Sequence, residues 1–231
     1  MPVVQCHPQA RDRRTVEALR ARNHRGSGGV TVQFHDRPLG DSALAQLFGE
    51  ARSYNGWFDR PVSEAQIEQI HSLLKMGPTS ANSQPARFVW CRSQDAKNQL
   101  AECAIETNRA KILTAPVCVI IGYDVDFHEE LPFLFPHADA KLWFDGNEAL
   151  RRETGARNSA LQGAYLMLAA RSLGLDCGPM SGVDLDLVTA RFFADQPRCR
   201  ADWICSIGYG DPASIFPRSP RPEFARFNRI V

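Results

Sequence analysis

The stretch Gly77-Pro-Thr-Ser-Ala-Asn-Ser-Gln-Pro-Ala-Arg-Phe88 separates two kinds of patterning. Before it, Ser63 and Gln66 have the spacing of a helical capping box, and Ile67, Ile70, Leu73 and Leu74 recur on one helical face. Gly77 followed by Pro78 is a helix stop. After it, Phe88–Cys91 reads as a strand. The same alternation extends outward. Asp41 is placed to cap a short helix carrying Leu44, Leu47 and Phe48. Helical patterns are predicted for Ala96–Cys103 and Glu106–Leu113. Val117–Tyr123 is almost wholly apolar, as in a strand covered on both faces. Asn147–Leu173 predicts a long helix with a stripe of Leu150, Leu161, Ala164, Tyr165, Leu168 and Ala169, closed by Gly174. At about 40 Å it exceeds the needs of a small monomer and predicts a helix shared with another subunit. Trp203–Ile207 is a last strand. Few strands separated by helices give a mixed α/β or α+β class.

The chain has 231 residues, 44% apolar and 23% charged, which fits one large globular domain or a domain with an extension. Lys plus Arg is 27 against 26 for Asp plus Glu, so the chain is no general polyanion binder. Residues 1–25 nevertheless hold six arginines against Asp12 and Glu17, and Gly26-Ser-Gly-Gly29 has linker composition. Residues 1–40 are therefore expected to be a disordered extension and 41–231 the domain. Nucleic-acid binding would rest on those six arginines alone and is not expected. No apolar run reaches the length of a membrane helix, and no secretory signal is present. Seven cysteines without a C-x-x-C pair, with Cys91, Cys118 and Cys205 in apolar runs, read as buried thiols of a cytoplasmic protein. His128, Glu129, Glu130, His137 and Asp139 share a Pro-rich loop without metal-ligand spacing, and no metal is expected there.

Two motifs fail on context. Gly208-Tyr-Gly-Asp-Pro-Ala213 matches a dinucleotide fingerprint by letter, but the 18 residues after it contain Pro217, Pro220 and Pro222 and leave no room for a helix and strand. Gly178-Pro-Met-Ser-Gly182 places its serine one position late for a nucleophile elbow. Three polar features remain. The 77–88 loop offers Thr79, Ser80, Asn82, Ser83 and Gln84 between prolines. Asn108 and Lys111 share a helix face. Arg218 and Arg221 offer forked donors suited to a phosphate.

Together with ARSYNGW (51–57), NRAKILTAPV (108–117), LGLDCGPMSGVD (173–184) and GYGDP (208–212), these features resemble the nitroreductase family of FMN enzymes from about residue 41 onward. NGW, GPTSAN, LPFLFPH, RNSALQGAY and GPMSG are most similar to its malonic semialdehyde reductase branch, which serves pyrimidine degradation. The resemblance implies an α+β fold, a mostly antiparallel sheet flanked by helices in a domain-swapped homodimer with two interfacial FMN sites. Arg52, Arg218 and Arg221 would hold the FMN phosphate, and Ser53 the ribityl chain, with Asn55 beside them. Asn108 and Lys111 would face the pyrimidine edge of the flavin. Pro78, Thr79, Ser80 and Asn82 would come from the other subunit. Met180, Ser181 and Gly182 would bring backbone to the flavin N5, the close approach explaining Gly178, Pro179 and Gly182. Asn55-Gly56 stands where many relatives place a second basic residue.

The implied activity is ping-pong hydride transfer from NADPH or NADH through FMN to a small molecule, with no side chain as nucleophile or base. The implied acceptor is malonic semialdehyde, giving 3-hydroxypropanoate, with Arg87 and His137 as candidates to meet its carboxylate. The alternatives are a broad nitroaromatic or quinone reductase and, from another class, a non-catalytic flavin-binding dimer.

Overall fold

A four-stranded antiparallel sheet of order β1-β2-β4-β3 organises the chain. Its strands are β1 Ala86–Cys91, β2 Val117–Asp124, β3 Asp176–Met180 and β4 Cys199–Gly208. The computed structural model describes residues 37–231. Residues 1–36, which carry most of the expected extension, lie outside the described residues. Gly40–Val231 forms one unit.

The continuous apolar character of β2 has a direct cause. Cys118 and Ile120 pack with Leu100, Ile112, Val188 and Ile204 on one face of the sheet. Val117, Val119 and Ile121 pack with Ile70, Leu74, Leu166 and Ile207 on the other. Both faces are covered by helices, so no position of the strand needs to be polar. The first face carries α3 (Gln94–Glu102), α4 (Glu106–Thr114) and α7 (Leu185–Phe192). The second carries α2 (Glu64–Leu74) and α6 (Glu148–Ser172). Short helices α1 (Asp41–Leu44), α5 (Leu131–Leu134) and α8 (Phe224–Phe227) lie outside this three-layer core.

Local signals set the helix ends. In α2, Gln66 N donates to Ser63 Oγ at 3.2 Å and Ser63 N donates to Gln66 Oε1 at 3.0 Å, which completes the expected capping box. Asn147 Oδ1 accepts from Leu150 N at 3.0 Å to start α6. Gly174, at φ +73°, turns the chain out of it. Asp41 is the first residue of α1 rather than its cap, because Gly40 occupies the cap position.

Two elements escaped the periodicity. Strand β3 spans Gly178-Pro179, which reads as a loop; an edge position tolerates a proline that a central strand does not. Helix α7 begins where Asp184 Oδ1 accepts from Leu187 N at 3.0 Å. The orientation of α6 also differs from its apolar stripe. Leu150, Leu161 and Tyr165 are 37%, 48% and 38% exposed, whereas Thr154, Asn158, Ser159, Gln162 and Leu166 face inward. The inner face is polar because it binds loop backbone. It is also narrow. A Cβ on Gly163 would come within 2.2 Å of the Trp203 ring, and one on Gly155 within 2.6 Å of the Tyr123 ring.

Candidate functional site

The segment Ala51–Trp57 runs beside β3. Ser53 forms a parallel bridge with Cys177, and Tyr54 N donates to Cys177 O at 3.1 Å. A Cβ on Gly178 would meet Tyr54 O at 2.5 Å, so this glycine serves chain-to-chain approach rather than approach to a ligand. The C-terminal tail closes over the same segment. Asn55 Nδ2 donates to Ser214 O at 3.1 Å, and Arg52 Nη2 donates to Phe216 O. Arg218 Nη2 donates to Gly49 O and Ala51 O at 2.9 and 3.1 Å.

Segment, tail and the last turn of α6 enclose a cleft of about 390 Å³ lined by Arg52, Ser53, Asn55, Arg171, Arg218 and Arg221. The predicted phosphate ligands Arg52, Arg218 and Arg221 are thus brought together across some 170 residues of sequence. Arg171 is the addition. It stands alone in its stretch of sequence, and only its place in the last turn of a helix ending at Gly174 marks it. Among the described residues none of the four guanidinium groups has a carboxylate within ion-pair distance, whereas most other arginines, such as Arg87, Arg92 and Arg109, do. Asp176 is the nearby acid. Its Oδ2 accepts from Gly210 N at 3.0 Å; burial raises its pKa, against that hydrogen bond and the charge of Arg171.

A second locus joins α4 to the end of β3. Ile105 N donates to Gly182 O at 3.1 Å, and the buried Asn108 donates through Nδ2 to the same oxygen at 3.2 Å. A Cβ on Gly182 would lie 2.7 Å from both Asn108 Nδ2 and Ile105 Cδ1. Asn108 and Gly182 therefore meet. Lys111, one turn on, lies half-buried in the last turn of α4, with no acid partner among the described residues. Ser181 is exposed, but the Met180 side chain is in the core, so only its backbone is available.

The loop after α2 is a third locus. Ala81, Asn82 and Gln84 have φ of 50°, 50° and 41°, three left-handed non-glycine residues with Ser83 at φ −70° between them. Helix α6 holds it in place. Asn158 Oδ1 accepts from Ser80 N at 2.8 Å, Gln162 Oε1 accepts from Ala86 N at 2.9 Å, and Gln162 Nε2 donates to Gln84 Oε1 at 2.7 Å. Thr79 Oγ1 accepts from Gln84 N at 3.2 Å, and Asn82 Nδ2 donates to Leu134 O at 2.8 Å. Neither this loop nor Asn108 lines the arginine cleft of the same chain.

The two substrate candidates fall elsewhere. Arg87 pairs with Asp124 at 2.9 Å, so its charge is already met. His137 is exposed and stands edge-on to Phe135. The acidic loop is tied to the residues that follow it. His128 Nε2 lies 3.3 Å from Asp145, and Lys141 pairs with Glu129 at 2.8 Å. All six cysteines from Cys91 onward are buried free thiols; burial pushes Cys91 and Cys118 up to about 12.

The nitroreductase family pattern covers residues 51–210, which takes in the second and third loci and the Arg52 and Arg171 walls of the cleft, with Arg218 and Arg221 just beyond it. The chain belongs to the nitroreductase family. Nitroreductase membership makes it an FMN-dependent oxidoreductase. A Burkholderia lata protein with the provisional name NADH dehydrogenase/NAD(P)H nitroreductase is 56% identical over 192 residues, 83% of this chain and 98% of the relative. One of the same name from Xanthomonas oryzae pv. oryzae is 54% identical over 192 residues, 82% and 97% of the two chains. A nitroreductase structure from Exiguobacterium sibiricum, solved with FMN, superposes with TM-score 0.73 at 20% identity over 84% of this chain and 99% of the other. An enone reductase of gut-bacterial fatty acid saturation gives TM-score 0.72 at 17% identity, over 84% and 100%. At those identities the two structures establish the nitroreductase fold expected from the sequence, with every strand pair antiparallel.

The nitroreductase cofactor fits the donor set. A guanidinium has more N–H donors than the one or two that each cleft arginine gives to carbonyl oxygens. The remainder, without carboxylate competition, suits a phosphate dianion.

Proposed function

We propose that this protein is an NAD(P)H oxidoreductase that holds FMN by its phosphate in the arginine cleft and passes reducing equivalents to a small molecule. The observation that carries this reading is the cleft, which gathers guanidinium groups that have no carboxylate partner among the described residues. Bound FMN would supply hydride acceptance from NADPH or NADH and hydride return to an acceptor. Arg52, Arg218 and Arg221 would anchor the phosphate, with Ser53 and Asn55 beside it. Lys111 would place a positive charge near the reduced ring, a preorganised electrostatic effect. Asn108 would keep the Gly182 backbone in position, next to Ser181 and the backbone of Met180. Pro78, Thr79, Ser80 and Asn82 would serve the site of a second copy, since they are remote from the cleft of their own chain. A domain-swapped homodimer follows, and the outward Leu161 and Tyr165 of α6 support it. No helix among the described residues is long and apolar enough to cross a membrane, and we place the enzyme in the cytoplasm.

For the acceptor we favour malonic semialdehyde, on the five stretches that resemble that branch. A second reading, a nitroaromatic or quinone reductase, is favoured by one observation: Asp124 already occupies Arg87, which leaves a carboxylate substrate without that cation. The test is a visible spectrum of the FMN-loaded protein, repeated anaerobically after adding NADPH or NADH. Bleaching, with recovery on adding malonic semialdehyde, is the expected result. Recovery only with a quinone or nitroaromatic selects the second reading. A bound flavin that never bleaches overturns the enzyme in favour of a flavin-binding dimer.

A further inference from the structure

Arg171 lies between the motifs RNSALQGAY and LGLDCGPMSGVD and in neither, yet it lines the arginine cleft with Arg52, Arg218 and Arg221. Its position is fixed from both ends. Gln46 Nε2 donates to the Arg171 carbonyl at 2.6 Å, and Arg171 Nη1 donates to Leu47 O at 3.2 Å. These bonds join the last turn of α6 to the turn Ala45–Gly49, whose final carbonyl accepts from Arg218. One nitrogen is spent on Leu47, and the other end of the fork is unassigned. Asp176 is near enough to feel the charge of Arg171 but forms no ion pair with it, and its carboxylate is held by Gly210 N. A half-buried guanidinium with no acid partner among the described residues, on the wall of a cleft with three more, is the arrangement of a phosphate ligand rather than of a surface arginine.

We infer that Arg171 is a fourth phosphate ligand of the cleft, presented by α6, and that it contributes to selection of the phosphorylated flavin over riboflavin. This rests on the proposed FMN cleft. It also adds something to that reading: the helix that holds the 79–84 loop at its middle would hold the phosphate at its end.

The test uses the full chain stripped of flavin and measures binding of FMN and riboflavin separately by fluorescence quenching. Arg171→Gln removes charge and fork. The expected result is a loss of about ten- to a hundredfold in FMN affinity, the size of a charged hydrogen bond, with riboflavin affinity unchanged. Equal losses for both flavins, or no loss, would assign Arg171 to helix anchoring alone and overturn the inference. Arg218→Gln is the reference. If it lowers the FMN to riboflavin ratio and Arg171→Gln does not, only the inference fails. If Arg218→Gln leaves the ratio unchanged, the cleft itself is misassigned and both fail. Should Arg171→Gln not fold, Arg171→Lys decides, because it keeps the charge and loses the fork. A severalfold fall in the ratio supports the inference, and an unchanged ratio overturns it.

Discussion

Gly182 shows how a single residue couples two elements. Its carbonyl takes two hydrogen bonds, from Ile105 N and Asn108 Nδ2, and its missing Cβ is what lets α4 come so close. Gly182→Ala would place a methyl group 2.7 Å from Asn108 Nδ2. Ile105 is exposed and free to rotate away, whereas Asn108 is buried and must shift. The expected outcome is a folded protein whose FMN affinity falls about three- to tenfold, the worth of one ordinary hydrogen bond. Titration of the stripped protein with FMN measures it, and an unchanged affinity would separate the Asn108–Gly182 contact from flavin binding. The family resemblance singled out Asn108 and Gly182 separately, but their pairing was not legible, because the two residues lie 74 positions apart. Arg171 was not legible at all. An isolated arginine near a helix end carries no signal until folding brings the other three beside it.

At the scale of elements, α6 decides more than any other segment. Leu150, Leu161 and Tyr165 look outward, and its buried face carries Thr154, Asn158, Ser159 and Gln162 beside Leu166, Ala169 and Ala170. Hydrophobic periodicity assumes that buried means apolar, and that assumption fails where a helix must satisfy loop backbone. Helix boundaries were readable because capping is local: Ser63 with Gln66, Asn147 and Gly174 sit where their chemistry puts them. Strand β3 was hidden because an edge position excuses the Gly-Pro pair that otherwise marks a loop. The polar face of α6 yields a graded prediction. Gln162→Leu leaves the N–H of the buried Ala86 without its acceptor and should cost about 1–3 kcal/mol of folding stability. Asn158→Ala frees the N–H of Ser80, which is exposed and has access to water, and should cost less. Urea unfolding of both variants measures the order. A reversed order would mean that the loop is held chiefly through Ser80.

At the scale of the whole molecule, the chain carries more exposed apolar surface than a monomer needs. Leu161 and Tyr165 on α6 are joined by Phe216, Phe224, Phe227 and Ile230 in the tail, the last four 61–86% exposed. The arginine cleft and the 79–84 loop occupy separate places in one chain, although the family resemblance assigns both to the same cofactor. The proposed two-fold dimer would resolve both facts, because it would cover the apolar faces and let the loop of one copy meet the cleft of the other. Leu161→Glu, on the solvent side of α6, puts a charge into that interface without touching the polar inner face. It is expected to halve the mass measured by light scattering and to weaken FMN binding by at least tenfold, the flavin losing the contacts of the second subunit. Tight FMN binding by a monomeric variant would place the whole flavin site within one chain and remove the role given to Pro78, Thr79, Ser80 and Asn82. A variant that stays dimeric would move the interface off this face of α6.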